Sequence, residues 1–217
     1  MVILGPTSTG KTDLALQLAG KFHGELVSVD SRQVYRGLDI GTGKMPSELK
    51  IENLKLKIEK DNRYWEINGI KIWMYDVADP KKQYTVYDFV KDANKVIDEI
   101  LARGKLPIIV GGTGFYLKAL LEGIPNLGLP KDSNLRKKLN KLSLKSLQKK
   151  LQKVSPEKWE KMNDSDRQNP RRLIRAIEIK LIQNSKFKIQ NYNSKIKIKK
   201  FNILKIGLMV PRDILYQ

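Results

Sequence analysis

Eight residues near the N-terminus, Gly5-Pro6-Thr7-Ser8-Thr9-Gly10-Lys11-Thr12, satisfy the spacing G-x-x-x-x-G-K-[ST] at every fixed position. Glycines in such a loop let consecutive backbone N–H groups close round phosphate oxygens. Lys11 adds a point charge, and the Thr12 hydroxyl can hold Mg²⁺. The helix that follows presents its N-terminus, which favours anions. The motif says phosphate without saying whose. Asp30 is a second candidate. It ends the apolar run ELVSVDS (25–31), read as a strand, at the edge where open α/β sheets bind ligands. There it could ligate Mg²⁺ through water, act as a general base, or cap a helix. The run GGTG (111–114) ends another strand on that edge. Its glycines permit close backbone approach and Thr113 offers a hydroxyl, with a plain tight turn as the equal alternative. NPRRLIRAIEIK (169–180) sets Arg171 and Arg175 one turn apart, with Glu178 in reach of Arg175. That is either an arginine row for a nucleic-acid backbone or a salt-bridged solvated face. His23, the single histidine, reads as a loop residue without a role.

The elements that must position these residues follow from periodicity. A short strand at 2–4 leads into a helix with Leu14, Ala15, Leu18, Ala19 and Phe22 on its apolar face. YWEINGIKIW (64–73) alternates about Asn68-Gly69, the pattern of a hairpin, within an otherwise polar stretch 45–72. Thr85 and Asp88 form a capping-box start for a helix carrying Phe89, Ala93, Val96, Ile97 and Ile100, which Gly104 stops. LPIIVGGTG (106–114) is a strand feeding the glycine loop, and FYLKALLEG (115–123) is the next helix. Strands alternating with helices predict an α/β fold built on a parallel sheet. Pro125 and Pro130 then break the chain, and 132–183 reads as three or four short helices. Two of these open on Ser155-Pro156 and Asn169-Pro170, each a cap before a first-turn proline. KIKIKKFNILKIGLMV (195–210) reads as a return to the sheet. The expected organisation is a P-loop core at 1–123 and 201–217, interrupted by a basic helical insertion at 124–200.

Charge supports that division. The net charge is +19, but residues 1–122 carry only +2 of it and residues 123–200 carry +16. Lysine makes up 32 of the 42 basic residues, yet codon bias would not spare one half of a chain. A basic segment beside a neutral one predicts a polyanionic partner, nucleic acid first. No run of about 18 apolar residues occurs, and the N-terminus has no signal-peptide pattern, so no membrane partner and a cytoplasmic setting are expected. With no cysteine and one histidine there is no disulfide framework and little from which to build a zinc site.

Five segments occur in a telling order: GPTSTGKT (5–12), VSVDSRQVYRGLDIGTGK (27–44), DP…Y…DF (79–89), GGTGFYLKALLEG (111–123) and PRRLIRAIEI (170–179). Together they resemble the tRNA dimethylallyltransferase family, also described as tRNA isopentenylpyrophosphate transferases, which prenylate the adenosine 3′ of the anticodon. The second segment is far more specific than the P-loop. The resemblance implies that residues 5–12 hold the diphosphate of dimethylallyl diphosphate rather than ATP. Lys11 and Thr12 with Mg²⁺ would stabilise the leaving diphosphate, and Asp30 would accept the proton from adenine N6. Asp30, Ser31, Arg32 and Gln33 would surround the target base, flipped from its stack. Thr113 would sit beside the reactants. Gln168, Arg171, Arg172 and Arg175 would meet the tRNA anticodon arm, and the basic insertion would clasp the stem of the RNA. A monomer is expected.

The sequence departs from the family's pattern in four places. The stretch 45–72 is longer, and Trp73-Met74-Tyr75-Asp76 follows it where the family has His-His before Leu-Ile-Asp. Gly43 replaces an alanine, and 163–172 is longer. The family also continues past the counterpart of Gln217, so the sequence reads as C-terminally truncated, without a second arginine for the diphosphate and with its activity in question. Three other readings stand beside this one. They are a P-loop small-molecule kinase, an adenylate isopentenyltransferase acting on free nucleotides, and an RNA-binding remnant without activity. The +16 insertion argues against a mononucleotide acceptor.

Overall fold

The computed structural model describes residues 1–44, 63–184 and 202–211. Expectations that fall on 45–62, 185–201 or 212–217 lie outside the described residues. The chain divides into two compact units, one of residues 1–124 with 196–217 and one of residues 125–195.

The first unit is built on a sheet. Strand β1 (Val2–Leu4), β2 (Gly24–Ser28), β4 (Ile70–Trp73), β5 (Leu106–Gly111) and β6 (Lys205–Gly207) run parallel. β3 (Tyr64–Ile67) pairs antiparallel with β4, and the order across the sheet is β3-β4-β2-β5-β1-β6. Every residue of β2 is buried, as expected of a central parallel strand covered on both faces. β2 ends at Ser28, two residues before Asp30, so the strand is shorter than its apolar run predicts. The β3–β4 hairpin turns at Asn68 and Gly69, both at positive φ, the geometry that the Asn-Gly pair favours. Of the described part of the predicted returning strand, 202–210, residues 205–207 form β6.

Helix α1 (Lys11–Phe22) packs Ala15, Leu16 and Ala19 against Ile3, Leu26, Ile72, Tyr75, Ile108 and Val110 of the sheet side. Its buried face therefore includes Leu16 and excludes Phe22, which is 48% exposed. Phe22 holds the last helical position, and the chain turns away at once through His23 (φ 52°). His23 is exposed and serves as that cap. Helix α2 (Val86–Ala102) starts with a complete capping box between Thr85 and Asp88, and buries Phe89, Val90, Ala93, Ile97 and Ile100. Helix α3 (Gly114–Leu121) follows β5 directly.

The second unit holds five helices among its described residues rather than three or four: α4 (Ser133–Leu139), α5 (Leu144–Val154), α6 (Pro156–Glu160), α7 (Asp164–Arg167) and α8 (Pro170–Asn184). α6 and α7 are five and four residues long, too short for a 3.6-residue repeat to show. Pro156 opens α6, and the Asn169 side chain accepts from the Arg171 and Arg172 N–H groups at the start of α8. Leu139, Leu147, Leu151, Met162, Leu173, Ile174 and Ile177 form the core.

One buried carboxylate ties the first unit together. Glu25, 1% exposed, accepts from Trp73 Nε1 (2.7 Å), Arg103 (2.7 Å) and Lys105 Nζ (2.8 Å). Burial pushes its pKa up, but the bonds from Lys105, Trp73 and Arg103 outweigh burial and hold it below the usual carboxylate value. A carboxylate with a lowered folded pKa stabilises fully above its unfolded value of 4.5, and that contribution is lost as pH falls through the lower folded value. The melting temperature of Glu25→Gln should therefore fall less steeply than that of the wild type on acidification below about pH 4.5.

Candidate functional site: a phosphate cradle facing a carboxylate

The carboxyl edge of the sheet opens into a cavity of about 480 Å³. Gly5 to Asp13, Asp30 to Gln33, Gly41 to Gly43 and Gly111 to Thr113 line it, with Leu26, Ser28, Ile72, Tyr75 and Val110. The P-loop joins β1 to α1 and takes left-handed backbone at Ser8 (φ 63°) and Gly10 (φ 71°). The Lys11 ammonium donates to the Pro6 carbonyl, and Thr9 Oγ1 donates to that same carbonyl at 3.0 Å. Burial lowers the Lys11 pKa, and the negative charge of Asp30 partly offsets that.

The glycines of GGTG serve backbone contact within the protein. A Cβ on Gly111 would lie 2.2 Å from the Val29 carbonyl oxygen, and one on Gly112 would lie 3.1 Å from the Gly5 oxygen. Thr113 then locks two loops: its N–H donates to the Val29 carbonyl (3.4 Å) and its hydroxyl accepts from the Ser31 N–H (3.2 Å). It holds the N-cap position of α3 without capping it.

Asp30 shapes a turn with one oxygen rather than capping a helix. Oδ1 accepts from the N–H groups of Arg32 (2.8 Å) and Gln33 (3.3 Å), shaping the 30–33 turn. Among the described residues, Oδ2 has no hydrogen-bond partner. Gln33 faces inward: Oε1 accepts from Ser28 Oγ (2.7 Å), and Nε2 donates to the Thr42 and Gly43 carbonyls (both 2.9 Å). Its amide therefore braces the loop. The Arg32 side chain is exposed beside the cavity.

Sequence reasoning gave Lys44 no role, and it is the strut of this loop. Its side chain is fully buried. Nζ donates to the Tyr35 carbonyl (2.9 Å), to Asp39 Oδ1 (2.7 Å) and to Asp76 Oδ1 (2.5 Å), which engages all three of its hydrogens. Asp76 also accepts from Trp65 Nε1 (2.7 Å), and its carbonyl accepts from Arg36 Nε (2.8 Å). The signal was a lysine closing a glycine-rich run with an aspartate five residues before it; the partner at 76 comes from the segment after β4, the strand beside β2.

In the second unit, the arginines separate. Arg175 donates to Glu178 (2.6 Å) and to the Leu129 carbonyl (3.0 Å), and Arg136 forks onto the same carboxylate at 2.8 and 2.6 Å. Glu178 is fully buried, and its carboxyl is held below the ordinary range because these bonds outweigh its burial. Arg175 therefore matches the salt-bridged alternative rather than an arginine row. Arg172 pairs with Asp166. Arg171 and Gln168 are exposed. A separate row of exposed lysines, Lys145, Lys149 and Lys153, runs along α5 opposite the buried Leu147 and Leu151.

The fold and cavity define a P-loop-type protein in which the residue 5–12 loop and Asp30 line one cavity. A model of the IPP transferase family matches residues 33–217, and an isopentenyl transferase model matches residues 1–64. The chain belongs to the IPP transferase family. A tRNA dimethylallyltransferase of Bacillus mycoides is 37% identical over 99% of this chain and 62% of its own length. One of Streptococcus agalactiae is 38% identical over all of this chain and 63% of its own. A crystal structure of a full-length tRNA isopentenylpyrophosphate transferase from Bacillus halodurans is 34% identical with a TM-score of 0.56, covering 99% of this chain and 61% of that one. A eukaryotic dimethylallyltransferase described as acting on tRNA reaches a TM-score of 0.73 at 28% identity, over 99% of this chain and 49% of that one. The chain thus spans less than two thirds of the length of these relatives. Among the described residues no helix is long and apolar enough to cross a membrane.

Lys44→Met should lower unfolding stability by on the order of 3 kcal/mol, because it leaves the Asp76 carboxylate without its cation. The measurement is the denaturant midpoint, and an unchanged midpoint would show that the loop needs no strut.

Proposed function

We propose that the protein carrying this chain transfers a dimethylallyl group from dimethylallyl diphosphate to N6 of the tRNA adenosine 3′ of the anticodon. The observation that carries this reading is one cavity lined both by the anion cradle of residues 5–12 and by Asp30, with Oδ2 available. The relatives named for this activity support it. In the reaction, the bond from the allylic C1 to the diphosphate oxygen breaks and the electron pair leaves with the diphosphate. The N6–C1 bond forms, and the N6 proton passes to Asp30. Backbone N–H groups of the P-loop and Lys11 stabilise the charge that develops on the leaving group. A base is needed only as the new bond forms, so a carboxylate serves.

Mg²⁺ suits this donor set. The Thr12 hydroxyl is a hard oxygen ligand on the same cavity as the residue 5–12 loop. That fits an ion completed by diphosphate oxygens and water. Bound there, it would supply further neutralisation of the leaving group. The second unit would meet the RNA through Lys145, Lys149, Lys153 and Arg171, with Arg175 shaping that surface from within. Ser31, Arg32 and Thr113 would flank the flipped adenine at the cavity.

The test is Asp30→Ala in the full-length protein. Transfer of labelled dimethylallyl to an anticodon stem-loop should fall at least a hundredfold, in line with loss of a positioned base. Its affinity for tRNA should stay within a few-fold of wild type. Normal turnover in that variant contradicts the assignment of Asp30.

A further inference from the structure

Tyr75 lines the cavity and belongs to none of the motifs that assign the site. It is 3% exposed, yet its hydroxyl has no hydrogen-bond partner among the described residues. The ring is buried, while the hydroxyl is open to the cavity rather than sealed in the core. Its ring belongs to the buried cluster that includes Ala15, Leu16 and Ala19 of α1, and Trp65 meets it edge-on at 5.5 Å.

The backbone on either side is bent to hold it there. Met74 (φ 70°) and Asp76 (φ 55°) both take left-handed conformations. For a side chain such as methionine this costs about 1–2 kcal/mol. Such conformations persist where the surroundings fix them, and here the surroundings are those of the site. Lys44 and Trp65 hold the Asp76 carboxylate, and the Asp76 N–H donates to the Gln33 carbonyl (3.2 Å). The loop that presents Asp30 therefore also fixes Tyr75. Burial, followed by the charges of Asp30 and Asp76, pushes the phenol pKa well up, so the group is a neutral O–H donor.

We propose that Tyr75 is a further ligand-binding residue of this site, donating its phenol hydrogen to a phosphoryl oxygen of the diphosphate held by residues 5–12. The inference rests on the diphosphate reading above. The phenol shares one cavity with the residue 5–12 loop, and as a neutral donor beside two carboxylates it matches an acceptor oxygen of a diphosphate held there.

Calorimetric titration of the full-length protein with inorganic pyrophosphate and Mg²⁺ tests this without turnover. Tyr75→Phe should bind about tenfold more weakly, the effect of one hydrogen bond to a charged group. Its ligand-free melting temperature should match that of the wild type, while Lys11→Met should lose pyrophosphate binding. Equal pyrophosphate affinity in Tyr75→Phe and wild type, with Lys11→Met impaired, overturns the role of Tyr75 and leaves the diphosphate reading standing. A loss of affinity matched by a fall in ligand-free melting temperature also overturns it, since Tyr75 would then act through packing. No pyrophosphate binding by the wild type overturns both.

Discussion

The site depends on backbones touching at the carboxyl edge of the sheet. Gly111 has the Val29 carbonyl where a side chain would stand, and Gly112 has the Gly5 carbonyl close by. Those contacts bring the segments after β1, β2 and β5 to one place. The phosphate loop, the Asp30 turn and Thr113 then share one cavity. An alanine at 111 would meet the Val29 main chain rather than a movable side-chain tip, so the segments after β2 and β5 would have to part. Glycine at 111 is a demand of the architecture before it is one of chemistry.

A second layer fixes the loop between β2 and residue 44. Gln33 holds the chain at Thr42 and Gly43, and Lys44 draws Tyr35, Asp39 and Asp76 onto one ammonium. A buried lysine with three acceptors is satisfied, and removing any partner would leave charge in a dry place. Within that loop Asp30 uses one oxygen to shape its turn and leaves the other without a hydrogen-bond partner among the described residues. The same device recurs in the second unit, where buried Glu178 gathers Arg136, Arg175 and the Asp132 N–H. Each unit is thus pinned by a buried charge whose partners come from several segments.

Much of this was legible in the sequence. The P-loop, the α/β alternation, the Asn-Gly hairpin and the capping box at Thr85 are local patterns, and local physics places them. What was not legible depends on distant partners. Glu178 lies one turn from Arg175, but its capture by Arg136 comes from another helix, so the arginine row could not be told from a salt-bridged face. Lys44 stood at the end of the most specific segment, but its meaning came from Asp76, 32 residues on and after the neighbouring strand β4. Tyr75 looked like one residue of a divergent stretch until packing set it in the cavity. Phe22 shows the opposite failure: periodicity placed it inward, and the end of the helix left it exposed.

The central claim is that residues 5–12 hold a diphosphate about to leave rather than a nucleotide. Equilibrium competition on the full-length protein, with Mg²⁺ and labelled dimethylallyl diphosphate, measures this directly. The account predicts that unlabelled dimethylallyl diphosphate displaces the label and that ATP does so only at far higher concentration. Tight ATP binding that dimethylallyl diphosphate cannot displace would contradict it.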